Sequence, residues 1–154
     1  MKRGIHTFGG MSANETRDWK THFKNNMAPF GEYLGIEFIE ATPDRVLAEV
    51  KVSPELSIDT NTIHGGAIMA ISDTVASCGA IANLRQGQWT TTLESKTNFF
   101  GPAPSGTHVL FESLPLHLGR RTSVWQTSMR NDNGKLLAQV TQTQMTLGKP
   151  KEDS

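Results

Sequence analysis

The sequence predicts an α+β fold in which a six-stranded antiparallel sheet wraps around one long central helix. Three observations lead there. Residues 64–80 are a run of small and aliphatic side chains, and between Asp59 and Arg85 only Asp73 carries a formal charge. A helix with one face in water shows several charged residues on that face, so this one is surrounded. Two extended runs precede it and four follow, without the regular β-α alternation of a parallel sheet; strands gathered about a helix argue for an antiparallel sheet. The second run alternates cleanly, with Val46, Ala48, Val50 and Val52 on one side and Arg45, Leu47, Glu49 and Lys51 on the other, as a half-buried antiparallel strand does.

The elements follow in order. Residues 1–11 have no periodicity and read as a mobile arm. Ser12-Ala13-Asn14-Glu15 has the form of a capping box, so a helix should follow. Trp19, Phe23 and Met27 give that helix one apolar face, and Pro29 and Gly31 should close it. An extended run from Tyr33 to Ala41, the turn Thr42-Pro43-Asp44 and the run from Arg45 to Val52 make a hairpin. Pro54 ends it, and residues 55–63 loop into the central helix. After the break at residues 85–88 come Thr90–Phe100, Thr107–Leu118, Thr122–Asn131 and Lys135–Leu147. Asn133-Gly134 predicts a tight turn between the last two. Pro115, inside the second of these, predicts an edge, a bulge or an early strand end. Residues 12–148 form a single domain in this reading, and 149–154 a polar tail.

The 154 residues carry fifteen basic and fifteen acidic side chains. That balance offers no support for bulk attraction to nucleic acid or to a membrane. No apolar run approaches the roughly 20 residues that cross a bilayer, and Lys2 and Arg3 are not followed by the apolar core of a secretory leader. The single cysteine, Cys78, excludes an internal disulfide framework and suits a reducing compartment. The expectation is a soluble cytoplasmic protein. Its histidines, at 6, 22, 64, 108 and 117, are too dispersed to argue for a metal.

Helical spacing puts Ile68, Ile71, Val75, Cys78 and Ala82 on the sheet-facing stripe of the central helix. Gly66, Met69, Asp73, Ala76, Ser77 and Ala80 fall roughly opposite. Small residues admit a close neighbour, so this second face is expected to pack on another subunit, with Asp73 at or near the interface. His64-Gly65-Gly66 opens the helix. Free N–H groups there, at the positive end of the helix dipole, can bind a developing oxyanion. A carboxylate two turns on can serve as general base or nucleophile. The plainer alternatives are a helix cap and a structural hydrogen-bond acceptor.

The segment HGGAIMAISDTVASCGA resembles the signature of the hot-dog fold acyl-CoA thioesterases, in particular their PaaI-like, phenylacetate-degradation branch, within the 4HBT superfamily. The likeness extends over most of residues 28–148, including Asn98-Phe99-Phe100-Gly101-Pro102-Ala103 and Gly119-Arg120-Arg121. It implies hydrolysis of acyl-CoA thioesters, of aryl or medium-chain type, to free acid and CoA. Asp73 matches the family's base or nucleophile, and the Gly65 N–H matches the group that polarises the carbonyl, with His64 and Gly66 beside it. Ser77 matches a hydroxyl that holds the attacking water, and Thr92 a hydroxyl on the next strand. The resemblance also implies a homodimer as the minimal active unit, a homotetramer as the assembly, and no cofactor, coenzyme A being part of the substrate. Where many members have an amide six residues before the histidine, this chain has Ile58; Asn61 is the nearby amide that can substitute.

Gly119-Arg120-Arg121 is either a solvated basic turn or a cradle for the phosphates of coenzyme A, which guanidinium groups suit. Lys96 and Arg85 are further basic candidates. Two rival functions stand beside hydrolysis. One is a hot-dog hydratase or dehydratase, which usually pairs acid and histidine differently. The other is a non-catalytic acyl-CoA-binding or regulatory protein, which Ile58 favours.

Overall fold

The computed structural model describes residues 17–150. The expected arm, the Ser12–Glu15 capping box and most of the polar tail lie outside the described residues. Within them the order is α1 (Trp19–Asn25), α2 (Pro29–Tyr33), β1 (Glu37–Thr42), β2 (Arg45–Lys51), a 3-10 turn (Pro54–Leu56), α3 (Gly65–Ala82), β3 (Trp89–Phe99), β4 (His108–Leu118), β5 (Thr122–Asn131) and β6 (Leu136–Leu147).

The six strands form one sheet in the order β1-β2-β4-β5-β6-β3, every pairing antiparallel. All six touch α3. The predicted inner stripe is buried throughout: Ile68, Ile71, Val75, Cys78 and Ala82. Opposite them lie Val46, Ala48, Val50, Val109, Phe111, Met129 and Ala138 from the concave face of the sheet. Each fully buried aliphatic side chain of this kind contributes about 1.5–3 kcal/mol. Against the expectation that no apolar run approaches a bilayer-crossing length, α3 has the length and composition of a membrane span; its burial under the sheet accounts for that apolarity.

Local chemistry explains the bends. Pro43-Asp44 links β1 to β2, and Thr42 Oγ1 accepts from the Asp44 and Arg45 N–H groups. Asn131 Oδ1 accepts from the N–H of Asn133 and Lys135, and Gly134 takes a φ of 76°, closing the β5–β6 hairpin. At Pro115 the β4–β5 register shifts, the bulge among the three predicted outcomes. The pairing of β4 with β2 ends at Ser113, so the missing proline N–H interrupts no ladder there.

Three expectations are corrected. Pro29 starts α2 rather than closing the first helix, as its fixed φ and missing N–H suit the first helical turn. Gly31 is buried inside α2, where an added Cβ would strike the Met27 side chain. The first strand begins at Glu37, since Tyr33 is still helical and Gly35 turns the chain with a φ of 68°. The small-residue face of α3 is only partly open. Ala76 and Ala80 are buried under Trp125 of β5, and a Cβ on Gly79 would lie 2.5 Å from the same ring. The close neighbour that these small residues admit is the chain's own tryptophan.

Candidate active site

The helix start and the carboxylate are built separately. His64 caps α3 in an extended conformation, and its Nδ1 accepts the Gly66 N–H at 2.8 Å. A ring nitrogen that accepts carries no proton, so Nε2 holds it. The N–H groups of Ala67 and Ile68 both reach the His64 carbonyl, at 2.9 and 3.2 Å. Among the described residues the Gly65 N–H has no acceptor, which leaves it as the open donor of the helix N-terminus. The Phe99 ring lies above it, 3.2 Å from where a Gly65 Cβ would be.

Asp73 is part-buried and faces β3 and β6. Thr92 Oγ1 donates to its Oδ1 at 2.7 Å, and Gln142 Nε2 donates to the same oxygen at 3.1 Å. Behind them Gln144 Nε2 donates to Thr92 Oγ1 at 2.8 Å and to Ser77 Oγ at 3.0 Å, while its Oε1 accepts from Thr90 at 3.0 Å. The compensation that a lone carboxylate needs thus comes first from the chain itself. Asp73, Ser77 and Thr92 meet in one polar network. Oδ2 of Asp73 has no partner among the described residues.

Gln142 and Gln144 were not singled out from the sequence, although a signal was there. On a strand of period two, Ala138, Val140, Gln142 and Gln144 share a face, and the structure buries all four. Two glutamines continuing an apolar face mark a buried polar site.

The remaining candidates lie apart from this network. Asn61 is exposed, with a φ of 60°, and its N–H closes a turn onto the Ile58 carbonyl at 2.8 Å; asparagine tolerates that left-handed conformation. Ile58 is exposed as well. Lys96 donates to Asn98 at 2.7 Å. Gly119, Arg120 and Arg121 line a cavity of about 780 Å³ together with Arg85, Lys149 and Ala80. Among the described residues four cations and no carboxylate line it. The cavity lies at the far end of α3 from Gly65.

A sheet wrapped around a helix that starts at His-Gly-Gly and carries a networked carboxylate is the frame of the hot-dog thioester hydrolases. The thioesterase superfamily pattern matches residues 60–138, and the chain belongs to that family. It is 32% identical over 117 residues to an assigned esterase of Mycobacterium tuberculosis, covering 74% of this chain and 83% of the relative. It is 26% identical over 123 residues to the proofreading thioesterase EntH of Cronobacter turicensis, covering 76% and 89%. The fold superimposes on the PaaI protein of the Escherichia coli phenylacetic acid degradation operon with a TM-score of 0.75 at 18% identity, over 85% of this chain and 93% of that one. The chain is accordingly a thioester hydrolase of hot-dog fold.

Proposed function

We propose that this protein hydrolyses acyl-CoA thioesters at a site assembled from two copies of the chain. The observation that carries the proposal is a separation. Gly65 and Asp73 are eight residues apart on one helix, about 12 Å along its axis. An oxyanion donor and a base must both stand about 3 Å from one reacting centre. The Gly65 N–H of one copy therefore serves the Asp73 of another. β3, which carries Thr92 against Asp73, is an edge strand with no neighbour on its outer side, and Leu93, Phe99 and Phe100 are exposed along it. An unpaired strand edge is a pairing surface, and a second copy is its occupant here. Pairs of such dimers give the tetramer.

In this arrangement the thioester oxygen points at the partner's Gly65 N–H, with the partner's His64 beside it. Asp73 Oδ2 takes a proton from water, or attacks the carbonyl directly, and the tetrahedral oxyanion is stabilised at the helix N-terminus. On the general-base route, collapse expels the CoA thiolate, which receives the proton taken from water, and releases the free acid. On the nucleophilic route, loss of the thiolate leaves an Asp73–acyl anhydride that water then hydrolyses, releasing the free acid, restoring the carboxylate and supplying the thiolate's proton. Ser77, whose oxygen accepts from Gln144, keeps its own proton to donate to the water. The exposed Met69, Phe99 and Phe100 suit an aryl or medium-chain acyl group, with Gly66 and Asn61 at the rim. The cavity at Gly119, Arg120 and Arg121 takes the CoA phosphates. Ala80 on its wall is seven residues from Asp73, about 10 Å, a span that a pantetheine arm can bridge.

The test is thiol release over a panel of acyl-CoAs with Asp73→Asn alongside. Hydrolysis of some member of the panel, lost in the variant, supports the reading. Unchanged turnover in Asp73→Asn overturns the role of Asp73. Tight binding of the esters without release replaces hydrolysis by a binding function, and a purely monomeric, fully active protein removes the shared site.

A further inference from the structure

We propose that Gln142, acting beside the Thr92 hydroxyl that Gln144 orients, is a positioning residue that fixes Asp73 through Oδ1 and so presents Oδ2 to the substrate. This rests on the reading of Asp73 as the reacting carboxylate.

Gln142 is a residue that stability alone does not explain. Gln142 is fully buried, and its Nε2 reaches Asp73 Oδ1 at 3.1 Å and the Asp73 carbonyl at 3.5 Å. Its Oε1 is buried without a hydrogen-bond partner among the described residues. A buried acceptor left unpaired is destabilising, whereas an apolar side chain of the same shape escapes that cost. A methionine here would serve the core as well or better. The productive contact of the amide is with Asp73.

The orientation of the amide follows from its partner. Reversing it would set Oε1 against a carboxylate oxygen, two acceptors face to face, so Nε2 is held toward Asp73. Gln144 orients the second donor. Its Oε1 is engaged by Thr90 and its Nε2 by Thr92 and Ser77. Thr92 Oγ1 therefore accepts from Gln144 and spends its single proton on Asp73 Oδ1. Two donors thus converge on one oxygen from adjacent strands, β3 and β6. A carboxylate tethered at one oxygen can rotate only by breaking both bonds. Its other oxygen is held in a fixed direction, the preorganisation that an acyl-transfer base or nucleophile needs.

The test compares Gln142→Met with the unaltered protein, with Gln142→Leu as a second apolar replacement and Asp73→Asn in parallel. The expected result is a kcat 10- to 100-fold lower, a KM within about twofold, and a melting temperature unchanged or raised, since the unpaired oxygen is gone. Wild-type kcat in a folded variant overturns the proposal. So does a joint fall of melting temperature and activity in both apolar variants, which would make Gln142 a structural residue. An inactive Asp73→Asn beside a fully active Gln142→Met defeats this proposal and leaves the reading of Asp73 standing. A fully active Asp73→Asn defeats both.

Discussion

Thr92 on β3 donates a 2.7 Å hydrogen bond to the Asp73 carboxylate on α3, tying the edge strand of the sheet to the carboxylate of its central helix. Because Gln144 occupies the acceptor side of Thr92, the direction of this bond is set. Thr92→Val removes the donor while keeping the branched shape. The expected outcome is a kcat about 10-fold lower with the fold intact, by the scale of a hydrogen bond to a charged group, checked by thiol release and circular dichroism.

Gly65→Pro isolates the oxyanion donor. Proline is tolerated at the first helical position, and His64 before it is already extended, with ψ of 137°, as a residue preceding proline should be. The substitution removes the open N–H. Since an added Cβ meets Phe99 at 3.2 Å, it is best combined with Phe99→Leu and compared with Phe99→Leu alone. A loss of about 10²–10³ in kcat is expected; a loss confined to KM would assign the turn to substrate binding only.

Arg120→Ala with Arg121→Ala tests the basic cavity. KM for an acyl-CoA should rise about 10-fold, more at low salt than at high. The same acyl group on pantetheine, which lacks the nucleotide phosphates, should show no change. Equal effects on both substrates would detach the cavity from phosphate recognition.

Gly79→Ala tests the packing of α3. Its Cβ would stand 2.5 Å from the Trp125 ring, which is fully buried and held by a 3.0 Å bond from Nε1 to Ser123. Overpacking of this kind costs about 1–3 kcal/mol, read as a lower denaturation midpoint with an unchanged slope.

Cys78 gives a pH prediction. Burial pushes its thiol from 9.0 up to about 12. The neutral form is favoured in the folded state, so the stabilisation is fully present below pH 9 and is lost as pH rises from about 9 toward about 12. The slope contributed by one such group is about 1.4 kcal/mol per pH unit. In Cys78→Ala the decline of stability over that window should be shallower by about that amount. The native thiol should also react slowly with thiol reagents at neutral pH.

The order of elements, the antiparallel sheet and the surrounded helix were legible in the sequence, because alternation of period two and a charge-poor helix are local patterns that burial imposes directly. His64, Gly65 and Asp73 stood out for the same reason: a glycine pair at a helix start and a lone carboxylate among aliphatics are departures visible along the chain. The contacts of Asp73 were not, since Thr92 and Gln142 reach it, with Gln144 behind Thr92, only once β3 and β6 pair across about fifty residues of sequence. Nor could helix periodicity tell that Trp125, rather than a second subunit, covers Ala76 and Ala80. Local spacing determines which face a side chain occupies, and only the folded sheet decides what that face meets.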